Sequence, residues 1–149
     1  MFADILGEDY YRAYRHRLEV LLHIPTNASG QDIHELIESG FSADRIKALC
    51  ELGAITPSDR NWIIPVKALD TRLVRGQRLT VDESDCLFRF IHIIAMSEAI
   101  FEDDEKSRRW LLKSKSHFAG KSPMAMLSTS QGTRQVEEML IQLAEGLVF

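Results

Sequence analysis

The chain has 149 residues, of which 45 % are hydrophobic and 27 % charged, the balance of a folded chain and not of a disordered one. Its formal charge is −4, and its two cysteines, Cys50 and Cys86, are too few for a disulfide framework or a four-cysteine zinc site. No apolar run is long enough to span a bilayer, and the opening MFADILGEDYYRAYRHR lacks the basic-then-apolar order of a secretory signal, so a cytoplasmic protein with buried, reduced thiols is expected.

Strand signals are brief, whereas helix signals recur from end to end, so an all-α fold is expected. A first helix is predicted from Glu8 to His23, with Tyr10, Tyr11, Tyr14, Leu18, Leu21 and Leu22, and Pro25 to Gly30 reads as a linker. A second runs from Gln31 to Ser39, with Ile33, Leu36 and Ile37 on one face, and Gly40 stops it. Ser42 caps a third that carries Ile46, Leu49 and Cys50 inward and closes at Gly53. Thr56-Pro57 opens a short fourth helix, a threonine cap followed by proline in the first turn. A fifth is predicted from Pro65 to Arg75, with Val66, Leu69 and Leu73 inward and Gly76 at its end.

Thr80 and Glu83 have the spacing of a capping box, and start a long helix reaching Phe101. Its stretch from Leu87 to Met96 is apolar almost all round. That calls for burial on several sides, in a core or in a subunit interface. The acids Glu102 to Glu105 precede Lys106, Arg108 and Arg109, which complements a helix dipole, and the next helix holds Trp110, expected in the core with Leu111. Lys113 to Gly120 reads as a loop and Ser122-Pro123 as a short helix start. A last helix, capped at Ser128 or Thr129, carries the stripe Val136, Met139, Leu140, Leu143 and Leu147.

Enzyme signatures are missing. No nucleophile elbow, zinc-protease motif or dinucleotide fingerprint occurs. Gly120-Lys121-Ser122 resembles the end of a phosphate loop, but Lys115 stands where that loop needs its first glycine. The histidines His16, His23, His34, His92 and His117 share no metal-ligand spacing, and His92 is expected as a hydrogen-bonded core or interface group. No catalytic residue, metal or cofactor is expected, and the chain is read as not an enzyme.

Charge is unevenly spread. From Arg60 to Arg78 five basic residues face the single acid Asp70. The fourth and fifth helices have the dimensions of a helix-turn-helix, whose second helix enters the major groove of DNA. Arg60, Lys67, Thr71, Arg72, Arg75 and Arg78 are the candidate DNA-binding residues, because cations release the counterions condensed on phosphate. Such a reader usually works as a pair, and the Leu87–Met96 stretch is a candidate dimer surface as well as a candidate core.

The stretch from Leu87 to Phe149 adds a resemblance. Phe101, Lys106, Arg109, Trp110-Leu111, Phe118-Ala119-Gly120-Lys121-Ser122-Pro123, Leu127, Thr129, Gly132, Val136 and Gly146-Leu147-Val148-Phe149 follow in an order that resembles the toxin-binding domain of the Xre/MbcA/ParS antitoxins. The preceding helices resemble that family's degenerate Xre-type helix-turn-helix. Ser114-Lys115-Ser116 stands where the family often has a Pro-Asn pair, and nothing before Gln31 matches a family motif.

The resemblance implies an antitoxin of a bacterial type II toxin-antitoxin module. Its partner would be a RES-domain toxin from the adjacent gene that attacks NAD, neutralised by covering the active-site entrance. Operator DNA would be the second partner, giving autoregulation, with a homodimer or a larger hetero-oligomer with the toxin as the assembly. It implies a division into residues 1–30 as N-terminal helix and linker, 31–79 as Xre-like DNA-binding domain and 80–149 as toxin-binding domain. Lys113, Lys115, Phe118, Lys121, Gly146, Leu147, Val148 and Phe149 become the candidate toxin contacts, with the last four as an inserting tail. A helix-turn-helix regulator whose C-terminal domain senses a small ligand is the competing reading.

Overall fold

The structure, a computed structural model, describes residues 7 to 146. Among these the regular elements are eight α-helices and two 3₁₀ turns. They are α1 (Glu8–Leu22), α2 (Gly30–Ser39), α3 (Ala43–Glu51), α4 (Pro57–Ile63), α5 (Val66–Arg75), α6 (Val81–Phe101), α7 (Asp104–Leu112), 3₁₀ turns at Ser116–Phe118 and Met124–Ser128, and α8 (Ser130–Ala144). The all-α expectation holds. The extended pairing is an isolated bridge between Ser42 and Arg78.

Local chemistry explains the helix ends. Ser29 with Asp32 and Thr56 with Asp59 form reciprocal capping boxes at α2 and α4. At α6 the Glu83 N–H donates to Thr80 Oγ1 at 3.1 Å, and the Thr80 N–H donates to Glu83 Oε1 at 2.9 Å. Thr129, not Ser128, caps α8 by accepting from the Gly132 N–H at 2.9 Å. Gly76 ends α5 in the left-handed conformation.

The chain divides into two compact units. One comprises residues 27–88, the other residues 1–26 together with 89–149. In the first, α3 packs against α4 and α5. Its core includes Phe41, Ile46, Leu49, Ile55, Ile64 and Leu69. Gly40 is the tight point of this unit. Its φ is +86°, and a Cβ there would overlap the Leu79 carbonyl oxygen, where the Leu79 N–H donates to the Phe41 carbonyl at 2.9 Å.

In the second unit the 89–101 part of α6 is the core. Phe90, Ile91, Ile93, Ala95 and Met96 are fully buried, and Ile94 and Ala99 nearly so. Both faces of this stretch are covered within the chain, so the candidate dimer surface is instead a central core helix. The predicted linker is partly packed too, since Ala28 within it is buried. α8 and α7 both pack on the second 3₁₀ turn.

Three further placements differ from expectation. Cys50 is partly exposed while Cys86 is buried. Val66, in the first turn of α5, is half exposed although Leu69, one turn on along the same face, is buried. Trp110 is half-buried at the margin of the core, its ring 5.8 Å from that of Phe101.

Candidate functional site

Two surfaces collect the candidate residues. The first is α4–α5. Ile64 (φ −157°, ψ 134°) and Pro65 make a two-residue link between the helices. A residue before proline avoids the α region, so α4 ends there without a glycine.

Of the six candidate DNA-binding residues, three are occupied within the unit. Arg60 Nη1 donates to the Ile64 carbonyl at 2.9 Å, closing the end of α4. Arg72 pairs with Glu83 at 2.9 Å, with only 20 % of its side chain exposed. Arg78 donates to the Gly40 carbonyl at 2.9 Å. The other three lie on the outer face of α5. Lys67 and Arg75 are exposed, and Thr71 is exposed while its hydroxyl donates to the Lys67 carbonyl at 3.0 Å. Val74 shares this side, with 87 % exposure. Residues 27–88 carry seven basic and ten acidic residues, so the positive face is local and not a property of the unit.

The second surface is the segment from α7 to the start of α8. The Lys115 N–H donates to the Lys121 carbonyl at 3.1 Å and the Gly120 N–H to the Lys115 carbonyl at 2.9 Å. These bonds close a turn whose left-handed positions are Ala119 (φ +55°) and Gly120 (φ +86°). Phe118 is 3 % exposed and anchors the turn in the core, so it supports this surface from beneath. Lys113 and Lys121 are exposed. Lys115 is half-buried, its Nζ 5.2 Å above the Trp110 ring. Burial, and next the charge of Lys113, push the Lys115 ammonium down. Gly146 is exposed with φ +83°. Leu147, Val148 and Phe149, the rest of the candidate tail, lie outside the described residues.

Within the unit of residues 1–26 and 89–149 runs a part-buried polar chain that sequence spacing did not reveal. Tyr14 Oη lies 2.6 Å from His92 Nδ1, and His92 Nε2 lies 3.2 Å from Glu137 Oε1. A neutral imidazole protonated on Nε2 satisfies both contacts, accepting from the tyrosine and donating to the glutamate. Burial holds the Tyr14 hydroxyl well above the ordinary phenol range. The chain ties α1, α6 and α8 together, and the hydrogen-bonded reading of His92 is what the geometry shows. Burial likewise pushes the Cys50 thiol up, the opposite of what a nucleophile needs.

A second cluster lies where α1, α6 and α7 meet. Arg17 pairs with Asp104 at 3.0 Å. Burial, and next the Asp104 charge, raise Glu98 to about 7 against the opposing pull of Arg17 and Arg108. The folded state therefore holds this proton more tightly than the unfolded chain does. The resulting stabilisation is complete below the ordinary glutamate value of 4.5 and is lost as pH rises through about 7. Glu98→Gln should leave stability at pH 4 nearly unchanged. At pH 8 it should add about 1 kcal/mol, a figure already reduced for the carboxylate's partial exposure. Parallel melting curves of the two proteins across that range check this, and a constant offset would contradict it.

Residues 96–146 match the family described as the antitoxin Xre/MbcA/ParS C-terminal toxin-binding domain. The chain is 52 % identical over 146 residues to a protein named antitoxin Xre from Pseudomonas putida, covering 98 % of this chain and 92 % of that one. It is 26 % identical over 121 residues to an antitoxin Xre from Yersinia enterocolitica, covering 79 % and 82 %.

Proposed function

The chain belongs to the Xre antitoxin family, with that family's C-terminal toxin-binding domain, and we propose that it neutralises a RES-domain, NAD-degrading toxin encoded beside it. Neutralisation is steric. The C-terminal domain covers the entrance of the toxin's active site, and Gly146, Leu147, Val148 and Phe149 enter as an aromatic-tipped tail. Lys113, Lys115 and Lys121 contact the toxin around that tail, with Phe118 holding their turn. The observation that carries the reading is the near-full-length similarity to an antitoxin, together with the match of residues 96–146 to a toxin-binding domain. The helix-turn-helix of α4 and α5 binds operator DNA and represses the operon. The working species is cytoplasmic, a homodimer or a larger assembly with the toxin, and residues 31–79 and 80–149 divide the DNA and toxin tasks.

Co-expression with the adjacent reading frame tests the central claim. The two products should co-purify, and cellular NAD should fall only when this chain is withheld. Deletion of Gly146 to Phe149 should restore NAD loss. Unchanged neutralisation by the shortened chain would reject the tail.

For DNA, the exposed positions are the informative ones. Lys67→Ala and Arg75→Ala should each weaken operator binding across sequences and flatten its salt dependence by about one unit of slope per lost phosphate contact. Arg72→Ala should instead act through stability, because it leaves Glu83 without its partner. Unaltered DNA affinity in both exposed variants would move the DNA face off α5.

A further inference from the structure

Between Lys106 and Val136 the chain carries seven basic residues and no acidic one, although the whole chain is −4. Part of that charge is answered by neighbours. Arg108 lies in the field of Glu98, and Arg109 in that of Asp103. The lysines of the turn meet each other instead, since the neighbouring charge acting on Lys115 is that of Lys113. The backbone bond from Lys115 to Lys121 brings a third lysine to the same turn. The turn is pinned by buried Phe118 and by Trp110 beneath Lys115, so the lysines do not scatter as they would on a floppy loop. Beside it, the outer side of α7 forms an open groove lined by Glu105, Arg108, Arg109, Leu112 and Lys113. Leu112 is 51 % exposed in the middle of these charges.

Like charges held together destabilise the isolated chain and favour an anionic partner. The exposed leucine narrows the kind of anion. A sugar-phosphate backbone offers an aliphatic side chain little to bury against, whereas a protein surface removes it from water. We infer that Leu112, Lys113 and Lys121 form a docking ledge for an acidic patch on the toxin, carboxylates grouped around an apolar contact. The inference rests on the toxin-binding reading above and specifies the partner's chemistry at that site. A pocket that handles an anionic dinucleotide is itself expected to be cationic. The ledge therefore grips the toxin beside that pocket and leaves occlusion to other residues.

The test is affinity for the toxin encoded by the adjacent frame, measured with the full chain across a range of salt. The wild type should bind more weakly as salt rises. Lys113→Glu/Lys121→Glu should lose at least about tenfold in affinity at low salt and lose the salt dependence. Leu112→Ala should weaken binding several-fold with the salt slope kept. All these side chains are exposed, so the variants should melt within about 2 °C of the wild type. Capture by the wild type and by the charge-reversed chain with equal affinity would overturn the ledge alone. No capture by the wild type would overturn the toxin-binding reading and the ledge with it. Loss of duplex DNA binding in the charge-reversed chain, with toxin affinity kept, would also overturn the ledge and assign the cluster to nucleic acid.

Discussion

Gly132→Ala should destabilise the protein by about 2 kcal/mol, the opposite of what helix propensity predicts. Gly132 sits in the first turn of α8 with ordinary helical geometry, so alanine there would by itself stabilise by up to about 1 kcal/mol. The packing reverses the sign. A Cβ on Gly132 would overlap the Met126 carbonyl oxygen, would lie 2.9 Å from its carbon, and would come 3.1 Å from the Thr129 hydroxyl that caps the helix. The obstacle is backbone in the second 3₁₀ turn, which cannot rotate away like a side chain. Either that turn or α8 has to move, and α7 also packs on the same turn.

A melting temperature lower by about 10 °C, with reduced toxin capture, is the expected readout. Gln131→Ala, at the exposed position next door, should be close to neutral and serves as the control. A Gly132→Ala protein more stable than the wild type would mean that propensity outweighs the close approach.

A larger loss is expected from Leu18→Asp, more than about 4 kcal/mol, enough to unfold the unit that contains it. Leu18 has no exposure, and Leu22 and Ile24, at 3 % and 0 %, extend the same buried face. An aspartate there would be a buried charge without a partner. The consequence matters because α1 belongs to the same compact unit as residues 89–149, at the far end of the chain. Tyr14 bonds to His92, and Arg17 pairs with Asp104, so both the buried and the exposed side of α1 are engaged there.

Hydrogen exchange should therefore show protection lost in α7 and α8, not merely in α1. Toxin capture should fall with it, although residue 18 is far in sequence from the 96–146 family match. Loss confined to α1, or stronger loss in residues 27–88 than in α8, would contradict the placement. His92→Phe, which breaks the polar chain but keeps the volume roughly constant, should cost less than Leu18→Asp.

Much of the local structure could be read directly. Capping residues, Thr56-Pro57, Gly40 and Gly76 act within a few residues of themselves, through hydrogen bonds to nearby N–H groups or through tolerance of positive φ. Helix positions were accordingly legible. The side of a helix facing the core was less so. Val66 follows the apolar pattern yet is half exposed, and Trp110 pairs with Phe101 at the margin. The six candidate cations around α5 looked alike as residue types. Arg60, Arg72 and Arg78 nevertheless hold a carbonyl or a carboxylate, while Lys67 and Arg75 reach solvent. That difference depends on Ile64, Glu83 and Gly40, two of which are distant in sequence. The uninterrupted basic run from Lys106 to Val136 was there to be counted, but its concentration at one turn came from the Lys115–Lys121 pairing.

Local spacing and motif order are enough for an all-α chain, its helix positions and its likeness to a toxin-binding family, because each of these is written within short stretches of residues. Long-range packing settles that the first helix completes the C-terminal unit, that Leu87 to Met96 is core and not an interface, and which arginines hold a carbonyl or a carboxylate of the fold. The stripe Tyr14, Leu18, Leu21 and Leu22 announces a buried face without naming its partner. Apolar burial carries no direction, and many faces are equally apolar. The choice is made by shape and by a few polar contacts, such as Tyr14 with His92, that exist only once distant segments meet.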